Sequence, residues 1–144
     1  MRLAVLFSGG KDSTYALHIA KEAGHDIACL LVMHPQNADS MMFHTPNTKW
    51  TRLQAKAMGI PFLPVPTDGK EGKEMQDLKR ALQELKKTAR IEGVVTGAIR
   101  SIYQAAEIEK VCSDLDLFCF NPLWMAKDEA HWHELLLREF NVIL

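Results

Sequence analysis

The chain contains 144 residues, of which 47% are hydrophobic and 24% charged, so we expect one domain over residues 1–144 with enough apolar side chains for a core. Its formal net charge is −1 and no run of lysine or arginine exceeds two residues, which argues against a stable nucleic-acid partner. The apolar stretch near the N-terminus is too short for a membrane span or a secretory signal, which predicts a cytoplasmic protein with no membrane partner.

The first predicted strand, residues 3–7, is followed by a glycine-rich turn that leads into a helix. The turn has the sequence Ser8-Gly9-Gly10-Lys11-Asp12-Ser13, with the helix opening at Ser13. Such a turn directs unpaired backbone N–H groups and the positive end of the helix dipole at one point, which suits a phosphate. The glycines permit close approach, Ser13 offers a hydroxyl, Lys11 a mobile positive charge and Asp12 an oxygen ligand for Mg2+.

This turn differs from two better-known phosphate-binding loops. A Walker A loop needs a glycine five positions before its Gly-Lys pair, where this chain has Val5, and the dinucleotide fingerprint G-x-G-x-x-G is absent. The remaining pattern, S-G-G-x-D-S, resembles the PP-loop of the ATP pyrophosphatases, which cleave ATP between its α and β phosphates. The alternative is an ordinary strand-to-helix turn in which a serine caps the helix.

Strands and helices are predicted to alternate along the rest of the chain. The predicted order is helix 14–22, strand 26–33, a polar functional loop 34–45, a helix from Pro46 through Met58, strand 61–65, helix 75–89, strand 93–96, helix 101–114, strand 117–120, helix 129–140 and the beginning of a strand within 141–144. Strand 26–33 is nearly all apolar, as expected for a strand covered on both faces. The alternation therefore predicts a doubly wound α/β domain, with a parallel five-stranded sheet, helices on both faces and right-handed crossovers.

In such a fold the ligand site lies at the carboxyl ends of the strands, where the strand order reverses. Ser8 follows the first strand, and the fourth strand is followed by a second turn of small residues, Thr96-Gly97-Ala98-Ile99-Arg100-Ser101. Gly97 and Ala98 permit a ligand to approach the backbone closely. Two such turns facing one crevice predict a nucleotide pocket.

We expect the three cysteines and two histidines near the C-terminal end to have structural roles and not chemical ones. Cys29, Cys112 and Cys119 form no C-x-x-C pair, so no zinc site or redox pair is expected; Cys29 is predicted to be buried and inert, and the others to lie on a helix face and a strand. His131 and His133 are two positions apart on a helix and cannot share one face as metal ligands. Both are predicted to lie at the surface, with Trp132 between them packing.

A closer resemblance appears over nearly the whole chain. The segments that carry it, beyond the PP-loop, are Met42-Phe43-His44-Thr45-Pro46-Asn47, Leu53-Gln54-Ala55-Lys56-Ala57-Met58-Gly59-Ile60-Pro61, Thr96-Gly97-Ala98-Ile99, Tyr103-Gln104 with Glu109, Val111-Cys112, and Pro122-Leu123-Trp124. They resemble the diphthine–ammonia ligase family, which belongs to the PP-loop superfamily with its adenine nucleotide α-hydrolase-like fold. The resemblance implies that ATP adenylates the carboxylate of diphthine, the modified histidine of elongation factor 2, and that ammonium displaces AMP to give diphthamide. The cysteines are all internal and give no glutaminase signature, which favours free ammonium as the nitrogen source.

The resemblance also implies roles for individual residues. The residues expected to bind ATP are Ser8, Gly9, Gly10, Lys11, Asp12, Ser13, Met33, Thr96, Gly97, Ala98 and Ile99. Those expected to bind the acceptor substrate are Met42, Phe43, His44, Ser101, Tyr103 and Gln104. Catalytic roles fall to Lys11, Asp12, Ser13 and His44, with Asp12 as the expected Mg2+ ligand. Two alternatives stay open: His44 only caps the helix that follows it, and Tyr103 packs in the core.

Two features depart from the family pattern. Ile102 and Glu107 stand where the family usually has an acidic and a basic residue, and the chain ends at Leu144 whereas family members generally continue into a C-terminal part. We therefore expect a PP-loop ATP-binding domain without that part, and a homodimer is compatible with the sequence. The other functions considered are a different PP-loop adenylating enzyme, such as a tRNA-modifying or small-molecule amide ligase, and a non-catalytic module that binds ATP or AMP.

Overall fold

A computed structural model of the protein describes residues 1–36, 48–70 and 72–143. Strands and helices alternate through this part of the chain, as the sequence predicts. The elements are β1 Arg2–Leu6, α1 Lys11–Glu22, β2 Asp26–Pro35, α2 Thr51–Met58, β3 Phe62–Thr67, α3 Lys73–Thr88, β4 Gly93–Val95, α4 Ile102–Asp114, β5 Phe118–Phe120 and α5 Asp128–Leu137. A short 3-10 turn, Thr48–Trp50, precedes α2.

The strands form one parallel sheet in the order β3-β2-β1-β4-β5. The chain moves outward from β1 to β2 and β3, then returns to place β4 on the other side of β1. In register, Leu3 lies opposite Ile27 on one side and Gly93 on the other. The order therefore reverses between β1 and β4, which is where a doubly wound sheet forms its ligand crevice. The predicted fold class is confirmed.

Helices cover both faces of the sheet because successive side chains of β1 point to opposite faces. Ala4 and Leu6 pack in a cluster with α3 and α4, whereas Leu3 and Val5 pack in a second cluster with α1, α2 and α5. The buried side chains of the helices facing the first cluster include Met75, Leu78, Leu82, Ile108 and Val111, and those facing the second include Ala16, Leu17, Ala20, Ala55 and Leu135. Full burial of a leucine such as Leu82 contributes about 1.5–3 kcal/mol.

Several boundaries differ from the sequence predictions, and one predicted strand does not form in the described residues. The first helix begins at Lys11 rather than Ser13, because the Thr14 N–H already donates to the Gly10 carbonyl at 3.1 Å. The second strand continues through Pro35, since it stays paired with β3 as far as Thr67. The strand predicted to begin within 141–144 is wrong for the described residues 141–143, where Ile143 is 95% exposed and the segment pairs with neither edge of the sheet.

Candidate functional site

The turn between β1 and α1 is called the PP-loop (residues 8–13), and a contact between its two serine hydroxyls joins its ends. The Ser13 hydroxyl is buried, lies 3.1 Å from the Ser8 hydroxyl and donates to the Gly10 carbonyl at 3.1 Å. Gly9 has a φ of 79°, a left-handed conformation that favours glycine. Gly10 is the N-cap of α1, so the first N–H groups of the helix have no intrahelical acceptor and point into the turn. The PP-loop is thus a preformed cradle for an anion.

Lys11 and Asp12 place one charge of each sign in the first turn of α1. Lys11 Nζ donates to Asp12 Oδ1 at 2.7 Å, and the two side chains are 28% and 33% exposed. Lys11 Nζ also lies 5.4 Å from the centroid of the Trp132 ring, a cation–π contact. The pair is therefore accessible to a ligand in the crevice.

The turn after β4 packs directly against the PP-loop. A Cβ added to Gly97 would lie 2.8 Å from the Ser13 nitrogen and 2.9 Å from the Asp12 carbonyl carbon. No side chain fits in that space, so the backbones of the two turns touch as only a glycine permits. The Ala98 N–H donates to Thr96 Oγ1 at 3.1 Å, which holds the second turn in shape. The two small-residue turns thus lie side by side at the β1/β4 switch point.

Asn121, which follows β5, braces the second turn and was not identified from the sequence. With its amide nitrogen facing the turn, Asn121 donates to the carbonyls of Thr96 at 3.2 Å and Ala98 at 2.9 Å. The Met125 N–H donates to the Ile99 carbonyl at 2.8 Å. An asparagine just after a strand is a common turn signal. The sequence does not indicate that this side chain would contact the carbonyls of Thr96 and Ala98.

His131 contradicts its predicted surface location. Its side chain is 4% exposed, and its Nε2 lies 2.8 Å from Asp12 Oδ1. The ring packs 5.5 Å from the centroid of Tyr15, and Leu135, one helical turn further on, is fully buried. His131 therefore belongs to the inward stripe of α5, which the position of Leu135 at i+4 could have indicated. His133 is exposed and Trp132 packs partly buried against the core, as predicted.

Gln54 of α2 lies in a segment that carries the family resemblance, but the sequence predicts no role for it. Its Nε2 donates to the Gly9 carbonyl at 3.0 Å, and its Oε1 is buried without a partner among the described residues. Helix α2 therefore contacts the PP-loop in addition to the turn that contains Gly97.

The remaining predicted site residues divide into three groups. Met33 lies in β2 with its side chain 3% exposed in the core. Ser101 is exposed and its hydroxyl caps α4 by accepting from the Gln104 N–H at 3.3 Å, while Tyr103 is 49% exposed, so the alternative that places it in the core is wrong. Met42, Phe43 and His44 lie outside the described residues.

The cysteines lie away from the crevice, in the core and in the sheet. Cys29 is buried, and burial raises the pKa of its thiol to about 11. Cys112 of α4 and Cys119 of β5 occupy the predicted helix face and strand. A hydrogen bond between them raises the pKa of Cys112, with burial adding to the effect, and lowers the pKa of Cys119. The described residues hold no cluster of three or more His, Cys, Asp or Glu side chains that could bind a metal.

In the part of the chain that the structure describes, every helix is too short or too polar to cross a bilayer.

Comparison with known sequences gives one consistent family. Residues 1–118 match the family model of the diphthamide synthase N-terminal domain. The chain is 33% identical over 162 residues to the diphthine–ammonia ligase of Bos taurus, covering 100% of this chain and 61% of that protein. It is 33% identical over 154 residues to the human (Homo sapiens) diphthine–ammonia ligase, covering 94% of this chain and 58% of that protein. The chain thus spans about three-fifths of the length of these curated relatives.

Comparison with solved structures supports the fold. A crystal structure described as a predicted subunit of a tRNA methyltransferase from Methanocaldococcus jannaschii aligns with a TM-score of 0.61 at 21% identity, covering 99% of this chain and 76% of that one. A U34-tRNA thiolase from Methanococcus maripaludis, solved with its 4Fe-4S cluster, aligns with a TM-score of 0.58 at 12% identity, covering 99% of this chain and 58% of that one. At these identities the likeness concerns the fold alone.

Proposed function

The chain belongs to the family of the diphthamide synthase N-terminal domain, and we propose that it binds ATP between its two small-residue turns to amidate diphthine. The observation that carries this proposal is the close packing of Gly97 against Asp12 and Ser13 at the switch point. That packing joins a phosphate cradle and a second backbone turn into one crevice. A nucleotide has an anionic end and an apolar base, and such a crevice offers backbone donors for the first and small residues for the second.

The triphosphate end of ATP fits the PP-loop. The N–H groups at the start of α1 would donate to phosphate oxygens, and the left-handed Gly9 lets the backbone approach them. The Ser8 and Ser13 hydroxyls lie 3.1 Å apart and link the two ends of the turn. Because the cradle is preformed, little ordering entropy is lost when the nucleotide binds.

Asp12 fits a Mg2+ ion that accompanies ATP. Both contacts found for its carboxylate among the described residues reach Oδ1, which leaves Oδ2 as the proposed ligand atom. Mg2+ usually takes one or two carboxylates together with phosphate oxygens and water, so a single aspartate suffices. Bound there, the ion would supply Lewis-acid polarisation of the phosphates.

The reaction proposed for the crevice transfers AMP and then replaces it. The diphthine carboxylate attacks the α-phosphorus of ATP, forming an acyl-adenylate and releasing pyrophosphate; ammonia then attacks the acyl carbon, forming the amide and releasing AMP and a proton. Negative charge grows on the departing pyrophosphate, and Lys11 with the N-terminus of α1 would stabilise it. Neither step requires a covalent bond to the enzyme. Elongation factor 2 is the proposed protein substrate, and ammonium the proposed nitrogen source.

Product analysis tests the proposal. The protein is incubated with ATP and Mg2+, with or without ammonium and diphthine-bearing elongation factor 2, and AMP, pyrophosphate and the modified peptide are measured by mass spectrometry. The proposal expects AMP, pyrophosphate and the carboxamide peptide only in the complete mixture. ATP binding without pyrophosphate release would support a non-catalytic binding module instead. Release of AMP and pyrophosphate with another acceptor alone would support a different adenylating enzyme.

A further inference from the structure

Helix α5 brings a buried histidine to the PP-loop from outside the residues matched to the family model. The match to the family model covers residues 1–118, whereas α5 spans Asp128–Leu137. His131 is 119 positions from Asp12 along the chain, yet its Nε2 lies 2.8 Å from Asp12 Oδ1. A polar contact of this length with a buried partner fixes both groups. The site therefore draws on a segment beyond the residues that match the family model.

The burial of His131 determines how it contacts Asp12. Its Nδ1 is buried and has no hydrogen-bond partner among the described residues, and the Tyr15 ring packs against it. A neutral imidazole carries one N–H donor and one acceptor. A proton on Nδ1 would lack an acceptor, whereas a proton on Nε2 is accepted by the carboxylate. The geometry therefore favours the Nε2–H form, with His131 donating to Asp12.

His131 and Lys11 share the same carboxylate oxygen but differ in mobility. Lys11 Nζ is 2.7 Å from Asp12 Oδ1 and its side chain is 28% exposed, whereas the His131 side chain is 4% exposed. A lysine side chain has high rotamer entropy and can turn toward another anion, but a packed imidazole cannot. If Lys11 turned to a phosphate, the contact with His131 would still hold the Asp12 carboxylate in place.

We propose that His131 is a positioning residue that fixes the Asp12 carboxylate for Mg-ATP while Lys11 is released to the phosphates. This inference rests on the proposed function, because Asp12 has a ligand to meet only if the crevice binds Mg-ATP. His131 acts through Asp12 and need not touch the nucleotide. Loss of a hydrogen bond behind a metal-binding group typically weakens metal affinity or activity about 10- to 100-fold.

The hydrogen bond itself is tested without any nucleotide. In protein carrying 15N-labelled histidine, NMR spectra distinguish the Nε2–H from the Nδ1–H tautomer of His131. The proposal expects the Nε2–H form, with a downfield proton that moves upfield in the Asp12→Ala variant while His133 is unchanged. A His131 ring in the Nδ1–H form, or one whose signals ignore Asp12→Ala, would overturn the inference.

The consequence is tested by titrating ATP at a series of Mg2+ concentrations. His131→Leu should weaken Mg-ATP binding about 10- to 100-fold. His131→Gln, whose amide nitrogen can reach the position of Nε2, should restore most of it, and His133→Gln on the exposed face of α5 serves as the matched control. Equal affinity in His131→Leu and the wild type, or equal losses in the leucine and glutamine variants, would contradict the positioning role. If the wild type binds no ATP, the proposed function fails, and the NMR spectra alone decide whether His131 positions Asp12.

Discussion

Replacing Gly97 with alanine tests whether the two turns must touch to form the crevice. The added Cβ would lie 2.8 Å from the Ser13 nitrogen and 2.9 Å from both the Asp12 carbonyl carbon and Ser13 Cα. Carbon atoms in comfortable contact are about 3.5–4.0 Å apart, and all three neighbours are backbone, so the turns must separate by several tenths of an ångström. Such overpacking costs about 1–3 kcal/mol. For a chain of 144 residues this lowers Tm by about 3–10 °C.

The same separation should weaken catalysis more than it weakens the fold. The shift acts on Asp12 and Ser13, and misplacing catalytic groups by about 1 Å can cost about 100-fold in rate. Differential scanning calorimetry gives the change in Tm, and pyrophosphate release at saturating ATP gives the change in rate. Gly24→Ala is the matched control, because Gly24 lies beyond the other end of α1, has a φ of 80° and has no atom within 4 Å of an added Cβ. It should cost about 1–2 kcal/mol through backbone strain and leave the rate of the folded protein unchanged.

The reasoning would be refuted by a Gly97→Ala variant with the Tm and rate of the wild type. It would also be refuted if Gly24→Ala lowered the rate as strongly as Gly97→Ala at equal stability. In that case general loosening of the domain, and not contact between the turns, would control the reaction.

Four further predictions concern the PP-loop and the cysteines. Asp12→Ala should abolish AMP formation with an unchanged circular dichroism spectrum, and retained turnover would remove Asp12 from the site. Gln54→Leu leaves the Gly9 carbonyl without its side-chain donor, which should lower the free energy of unfolding by about 1–3 kcal/mol and weaken ATP binding in calorimetric titration; an unaltered variant would show that α2 does not support the PP-loop. Because burial raises the pKa of Cys29 from 9.0 to about 11, the folded protein keeps a proton that the unfolded chain releases, so the free energy of unfolding measured with urea should fall as pH rises from 9 toward 11. Cys29→Ala should flatten that fall, and alkylation at about pH 8 should modify Cys119 first, since the hydrogen bond with Cys112 lowers its pKa.

Local sequence patterns were sufficient for the fold. The apolar run of β2 predicts a strand covered on both faces, and the chain indeed buries it between two helical layers. The glycine pair after β1 predicts a tight turn, and Gly9 adopts the left-handed conformation. These features depend on neighbours in sequence, which is why periodicity and turn chemistry identify them. The start of α1 was placed two residues late because it depends on the bond from Thr14 to Gly10, which hydrophobic spacing does not report.

The contacts that complete the site could not be predicted in the same way. Gln54 reaches Gly9 across 45 positions, and His131 reaches Asp12 across 119. Each requires the crossover connections to place two helices over the same part of the sheet. The spacing of residues within one helix does not indicate which residues of other elements that helix will contact. The strand expected within 141–144 failed for a related reason, since an apolar triplet forms a strand only where a sheet edge is available to pair with it.

The topology explains why the last helix can reach the first turn. Helix α5 packs on the face of the sheet that also carries α1, because Leu135 lies in the same cluster as Ala16 and Leu17. His131 lies one helical turn before Leu135 on that inward stripe, and this register directs its ring at the start of α1. Packing of α5 and orientation of the Asp12 carboxylate are therefore coupled. A cavity at Leu135 should therefore weaken nucleotide binding as well as lower stability, because Leu135 lies in the core and His131 of the same helix contacts Asp12 of the PP-loop.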